Sequence, residues 1–317
     1  MRIKELALLI AAGSSGMVWH EKASLPLPRA GYMAGAIGGR LILAGGSYWQ
    51  DGKKRWTERT DLFDPRSGAW NAADPLPEPR SDAAAATAGD TFYLFGGGAD
   101  GSTRKDAMAF RGGHWKALPA AASLPAPRLY AVAAVEGGLL YISGGIEKAG
   151  VLGSARNTFW SWDPAHPEAG WRELAPLPGP ARFSHAMVAR PGEILILGGA
   201  APAANGPGVR NLNDAYRYQV KTGTWTKLPD LPIARRAWSA VADGRSVLLI
   251  GGYTSAYEHE ILRWDPETGR AQRVTPLPHP LADAKFFRIG SVLVGAGGET
   301  ADHVRGPWTL VATNAAR

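Results

Sequence analysis

The chain has 317 residues, 45% hydrophobic and 20% charged, which is ordinary globular material with ample length for a large core. It has no Cys, which excludes disulfides, thiolate metal sites and cysteine nucleophiles. The net charge of +7 comes from scattered Lys and Arg whose densest run is Lys53-Lys54-Arg55. That is far short of a nucleic-acid arm, and it favours an acidic small molecule, an anionic glycan or an acidic surface as a partner.

In chain order, residues 1–16 come first. Met1-Arg2-Ile3-Lys4 and the apolar stretch from Leu6 to Ala12 have the layout of a secretory leader, cut between Ala12 and Gly16. The expectation is a cleaved signal peptide or a disordered leader on a periplasmic or secreted protein. An apolar tail packed on the fold, and a cytoplasmic location, stay open as alternatives. No other apolar run is long enough to span a membrane as a helix.

From residue 17 onward the chain repeats. Apolar runs rich in β-formers end in Gly-Gly at Gly45-Gly46, Gly96-Gly97, Gly144-Gly145, Gly198-Gly199, Gly251-Gly252 and Gly297-Gly298. Successive first glycines are 51, 48, 54, 53 and 46 residues apart. Each run, such as Leu41-Ile42-Leu43 or Val247-Leu248-Leu249-Ile250, reads as a short buried strand. A third strand follows with an aromatic and often Asp-Pro, as in Phe63-Asp64-Pro65, Trp162-Asp163-Pro164 and Trp264-Asp265-Pro266. Then come Trp70, Trp115, Trp171 and Trp225, and a Pro-rich turn with Arg29, Arg80, Arg128, Arg182 or Arg235. Leu281 holds that place in the sixth unit.

A period near 50 with these features resembles the kelch repeat over residues 17–317. The resemblance implies an all-β, six-bladed propeller with four strands per blade. After Gly298 only one strand remains, around Trp308-Thr309-Leu310-Val311. Val18-Trp19-His20 has the pattern of an outermost strand, so the N-terminal strand is expected to pair into the C-terminal blade and close the ring.

Alternating strand direction puts the segments after each Gly-Gly on the same end of the ring as the Arg turns. The long loops, Ser47 to Trp56, Glu147 to Asn157, Ala200 to Asn213 and Tyr253 to Glu260, gather there, so a funnel at this end is the expected site. Residues common to every blade serve the scaffold, and residues that break the pattern are functional candidates. The turn arginines recur, which gives them structural roles, with a positive mouth as the alternative. After Gly-Gly stand Ser47, Gly98, Ile146, Ala200, Tyr253 and Glu299. Only Glu299 carries a carboxyl group, and burial beside a strand end raises a carboxyl pKa. Arg305 follows six residues later.

Two segments resemble the bacterial sialic acid mutarotases (N-acetylneuraminate epimerases), in their cyclically permuted branch. They are Ala44-Gly45-Gly46-Ser47-Tyr48-Trp49-Gln50-Asp51-Gly52-Lys53-Lys54-Arg55-Trp56 and Gly298-Glu299-Thr300-Ala301-Asp302-His303-Val304-Arg305. The resemblance implies Glu299 as catalytic acid/base and Arg305, with Arg210 of Pro207-Gly208-Val209-Arg210, as carboxylate binders. Trp49, Tyr253 and Tyr257 are then candidates to stack on the sugar and Lys54 to capture the anion. This chain departs from the family where His303-Val304 stand in place of Pro-Gly and Ser47 in place of Asn.

The competing reading is a non-catalytic kelch module that binds a protein or glycan through the same loops. A copper radical oxidase of the galactose oxidase type is excluded by the lack of Cys. A hydrolytic sialidase is disfavoured by the lack of Ser-x-Asp-x-Gly-x-x-Trp boxes. No metal or cofactor is expected, since the seven His are dispersed without a close ligand pair and no phosphate-binding glycine loop precedes a helix. His185 is expected as a satisfied core histidine, with His259 and His303 near the loop end. Basic and aromatic residues do not interleave as a nucleic-acid groove requires.

Overall fold

The computed structural model describes residues 16–314, so the leader expected over residues 1–16 lies outside the described residues except for Gly16. Six four-stranded antiparallel sheets form the blades of a propeller. Their innermost strands are Met33–Ile37, Ala84–Ala88, Val132–Glu136, Ala186–Arg190, Ser239–Asp243 and Lys285–Ile289, and neighbours in that order pack together around a closed ring. The last blade takes its outermost strand from the other end of the chain, with Met17–Glu21 pairing antiparallel with Thr309–Asn314. Trp19 of that strand packs edge-on against Phe286. Among the described residues no helix is long and apolar enough to cross a membrane.

The second strand of each blade reads as a continuous apolar run because both of its faces are covered. Leu41, Ile42 and Leu43 are all fully buried, yet Leu43 faces Val294 and Val311 of blade six while Ile42 faces Leu94 and Phe110 of blade two. The same alternation continues round the ring through Phe95 and Trp162, Phe159 and Ile196, Leu197 and Trp264, and Ile261 and Leu293. Six interblade cores replace one central core, and the axis is left open. The recurrent Trp residues fasten neighbours at the periphery. Trp115 donates to Thr60 Oγ1 at 3.0 Å, Trp171 to the Ala122 carbonyl at 2.9 Å, and Trp225 to the Ala175 carbonyl at 2.9 Å.

Each Gly-Gly is an interblade joint. The N–H of Gly46 donates to the carbonyl of Arg80 in the next blade at 2.8 Å. A Cβ on Gly45 would sit 2.1 Å from that same oxygen, so only glycine permits the approach. The joint recurs at Gly97 with Arg128, Gly145 with Arg182, Gly199 with Arg235, Gly252 with Leu281, and Gly298 with Arg29.

The arginines themselves turn inward. All five are at most 1% exposed, so they make no positive mouth, and the structural role holds. Arg182 grips Asp214 with two bonds of 2.7 Å and donates to the Gly198 carbonyl at 3.0 Å. Arg29 meets Asp61 at 2.8 Å with both side chains fully buried, and Arg80 and Arg235 repeat the pattern with Asp106 and Glu260. In blade six Leu281 fills the same place with an apolar side chain.

Asp214→Ala should therefore lower stability by about 3–5 kcal/mol, because it strands a buried guanidinium. The double replacement Arg182→Leu with Asp214→Leu, whose first change copies Leu281 of blade six, should cost less than the single change. Chemical denaturation midpoints of the two variants check both expectations.

Candidate functional site

Two residues after each turn Arg, or after Leu281, the backbone enters the left-handed region. The six positions are Gly31, Asp82, Tyr130, Ser184, Ala237 and Asp283, with φ between 49° and 64°. Their main chains form a ring about the axis. Asp82 N–H donates to the Gly31 carbonyl, Tyr130 to Asp82, Ser184 to Tyr130, Ala237 to Ser184 and Asp283 to Ala237, at 2.6–3.1 Å. The last link differs, since Gly31 N–H donates to the Asp283 side chain, Oδ2, at 2.6 Å. Left-handed non-glycine residues cost on the order of 1–3 kcal/mol each and persist where the surroundings over-determine them. Here the strain aims side chains into the axial channel, a cavity of about 170 Å³ lined by Asp82, Tyr130, Ser184, His185, Asp283 and Lys285 among others.

Two carboxyl groups flank Gly31. Asp283 accepts from its N–H, and a Cβ on Gly31 would lie 2.7 Å from Asp82 Oδ1. Asp283 also accepts from Lys285 Nζ at 2.7 Å, whereas among the described residues Asp82 accepts only from the Ser81 hydroxyl, at 2.7 Å. Burial at the base of the mouth, and then the negative charge of Asp283, push Asp82 up to about 7 against the opposing pull of Ser81, Lys54 and Lys285. Tyr130 faces this negative charge, and its hydroxyl is raised first by Asp82, then by burial, Asp283 and Glu299.

Glu299 is reached from the next loop. Its main chain pairs with Ala282, the neighbour of Asp283, and opens a two-stranded hairpin whose other strand carries Arg305. Arg305 Nη1 meets Glu299 Oε1 at 2.8 Å, with the arginine side chain 7% and the carboxylate 33% exposed. Arg305 Nε also reaches toward the Ser47 carbonyl at 3.4 Å. Burial raises the Glu299 pKa, Arg305 resists the rise, Asp283 adds to it and Lys54 opposes it. The half-buried carboxyl is thus close to cations yet easier to protonate than a free one.

The second hairpin, Ser47–Gln50 with Lys53–Trp56, supplies Lys54 and Trp49. The Trp49 ring stacks on His303 at 3.8 Å, which joins this hairpin to the Glu299 hairpin. Tyr257 donates to Asp302 at 2.9 Å, and Tyr253 packs edge-on against Tyr257 at 5.1 Å beneath the Arg236 guanidinium. Glu299, Arg305, Lys54, Trp49, Tyr257 and Tyr253 thus form one continuous set.

Arg210 lies on a third hairpin. It pairs with Ala201 on the extended blade-four hairpin, is exposed, and makes no ion pair among the described residues. His185 corrects its expectation. It is 3% exposed and lies just before the strand rather than on it, and neither ring nitrogen has a partner among the described residues. Burial and the charge of Arg182 hold it well below the usual histidine range, as a neutral imidazole. His259 is exposed in blade five. Among the described residues no cluster of three His, Asp or Glu is arranged to hold a metal.

Asp82, Tyr130, Asp283 and Lys285 are site residues that the reading of the Gly-Gly loops passes over. The signal was available one turn away. The same pattern-breaking comparison, made two residues after the Arg, contrasts two Asp and a Tyr with Gly, Ser and Ala.

A model of the KLHDC2/KLHL20/DRC7 Kelch-repeats domain matches residues 31–252. N-acetylneuraminate epimerase of Haemophilus influenzae (strain PittEE) is 34% identical over 102 residues, which cover 32% of this chain and 27% of that protein. Kelch-like protein 25 of Xenopus tropicalis is 24% identical over 283 residues, covering 84% of this chain and 44% of that protein. The chain thus spans less than half the length of these relatives. A solved structure described as "Structure of YjhT" superposes with a TM-score of 0.74 at 16% identity, covering 92% of this chain and 96% of that one, and the likeness is one of fold.

Asp82 should titrate near 7 in side-chain carboxyl NMR, and Asp283→Asn should move that midpoint down by removing the neighbouring charge. The sign for stability follows. The native state holds this proton above the unfolded value near 3.9, so ionising Asp82 costs stability as pH rises from about 4 to 7. Asp82→Asn should remove that loss and raise the denaturation midpoint above pH 7 relative to the parent.

Proposed function

Because the chain belongs to the KLHDC2/KLHL20/DRC7 Kelch-repeats domain family, its propeller alone specifies no chemistry, and we propose from its mouth that it interconverts the anomers of N-acetylneuraminic acid or a related sugar acid. The observation that carries this reading is Glu299. It is a half-buried carboxyl with a raised pKa, held at 2.8 Å by Arg305 in an open mouth. The local likeness to N-acetylneuraminate epimerases supports it.

Mutarotation asks little of a protein. A base takes the anomeric proton, the ring bond breaks with its electron pair going to the ring oxygen, and the open chain recloses on the other face. A carboxyl that can both accept and return a proton suits this task. Arg305 orients Glu299 with Nη1, and among the described residues Nη2 has no partner. In this reading Nη2 and Lys54 meet the sugar's carboxylate, the planar guanidinium being the better match for it. Trp49, Tyr253 and Tyr257 offer aromatic walls to the sugar. Arg210, out on its hairpin, is left without a part.

The second reading is a module that binds a protein or glycan through the same end. The match to Kelch-like protein 25 along 84% of the chain favours it.

Proton NMR of freshly released α-N-acetylneuraminic acid separates the two. The protein should speed equilibration, with a rate that climbs with pH as Glu299 ionises, its midpoint above the usual glutamate value near 4.3. Glu299→Gln should lower the rate about 10²- to 10⁴-fold while leaving the circular dichroism unchanged. No acceleration at high protein concentration would favour the binding module.

A further inference from the structure

We propose that Asp82 is a second catalytic residue of this site, the carboxylic acid that protonates the ring oxygen while Glu299 takes the proton from the anomeric hydroxyl. This rests on the mutarotase reading and adds the acid which that reading leaves unassigned.

Geometry carries the assignment. Asp82 and Asp283 flank the same glycine, and their environments differ. Asp283 has two nitrogen donors, Gly31 N–H and Lys285 Nζ, whereas Asp82 has one hydroxyl. Two adjacent carboxyls placed in unlike surroundings divide the roles of proton holder and anion. The groups bearing on Asp82 are Ser81 on its own turn, Asp283 and Lys285 from blade six, and Lys54 from the blade-one hairpin. Glu299 reaches the same end through the main chain, pairing with Ala282, the neighbour of Asp283, and Tyr130 of blade three feels the charges of Asp82, Asp283 and Glu299 together.

The cycle balances. Glu299 carboxylate accepts the anomeric proton, the bond between anomeric carbon and ring oxygen breaks, and the departing oxygen takes the Asp82 proton. The open chain carries a ketone and a free hydroxyl. On reclosure the hydroxyl oxygen attacks the opposite carbonyl face, its proton returns to Asp82, and Glu299 returns its proton to the former carbonyl oxygen. No oxidant, reductant or net proton is needed.

The test compares wild type, Asp82→Asn and Asp283→Asn in the α-N-acetylneuraminic acid NMR assay between pH 5 and 9. Asn tolerates the left-handed backbone that Asp82 holds at φ 58°, and it keeps an oxygen for the Ser81 hydroxyl. Wild type should show a falling limb near pH 7, as the acid form of Asp82 is lost. Asp82→Asn should lose about 10²- to 10⁴-fold in kcat and lose the limb. Asp283→Asn should move the limb to lower pH.

Tyr130 as the donor would give no limb near neutrality, since its hydroxyl is raised above the ordinary tyrosine value. A limb that survives in Asp82→Asn, or a kcat within twofold of wild type, overturns the assignment of Asp82 and leaves the mutarotase reading standing. If Asp82→Asn does not fold, Asp283→Asn decides, and a limb that stays in place overturns the proposal. A wild type that fails to speed equilibration overturns both.

Discussion

The molecule depends on a hydrogen bond between the second glycine of each Gly-Gly and the main-chain carbonyl of the following blade's turn. It closes at 2.7–3.0 Å six times round the ring. Because a Cβ on the first glycine would collide with the incoming carbonyl, as at 2.1 Å on Gly45, the two glycines form a steric gate that only this sequence opens. The arginine completes the joint. Its carbonyl serves the blade behind, while its guanidinium serves its own blade, at Arg80, Arg182 and Arg235 by binding the first glycine's carbonyl and an acid at the third strand. A buried ion pair is a costly way to gain stability, and Leu281 shows that the place accepts an apolar side chain. What the arginine adds is a fixed donor geometry at a crowded strand end.

That joint generates the site. Holding the turn carbonyl outward against the neighbouring blade leaves the residue two positions later in a left-handed conformation, with its side chain aimed at the axis. Six such turns ring one end of the channel, and five of them carry a side chain. In most blades the residue there is small or neutral. In blades two and six it is Asp82 and Asp283, and these two meet over Gly31 of the intervening blade one. The loss of symmetry at these columns, on a scaffold that stays symmetric, separates chemistry from support.

The electrostatics follow from crowding. Three carboxyls, Asp82, Asp283 and Glu299, share a mouth with Lys54, Lys285 and Arg305. Partial burial favours protonation, each neighbouring carboxylate strengthens that preference, and each cation weakens it. Glu299 and Asp82 both end above the ordinary carboxyl range, through different balances of the same terms. Glu299 is restrained by a direct arginine contact, whereas among the described residues Asp82 has a hydroxyl and more distant cations.

The sequence by itself determined the propeller, because the architecture is written in local, repeated signals. Gly-Gly after an apolar run, Asp-Pro in the third strand, a Trp in the fourth and an Arg turn recur with a period that counts the blades. The orphan strand around Trp19 foretold the closure that Met17–Glu21 makes with Thr309–Asn314. Glu299 and Arg305 were legible for the same reason, being one short hairpin apart, so that spacing alone brings them to 2.8 Å. Tertiary structure alone decided the rest. Asp82 and Asp283 are 201 residues apart in sequence and adjoin only because the ring closes between the last blade and the first. His185 lies within a strand-like pattern and became an orphan lining the channel only when neighbouring backbones closed around it. Arg210, inside a motif that looked functional, is exposed on the extended blade-four hairpin and makes no ion pair among the described residues. Short-range chemistry can be read along the chain, but convergence across a closed ring depends on which blades become neighbours.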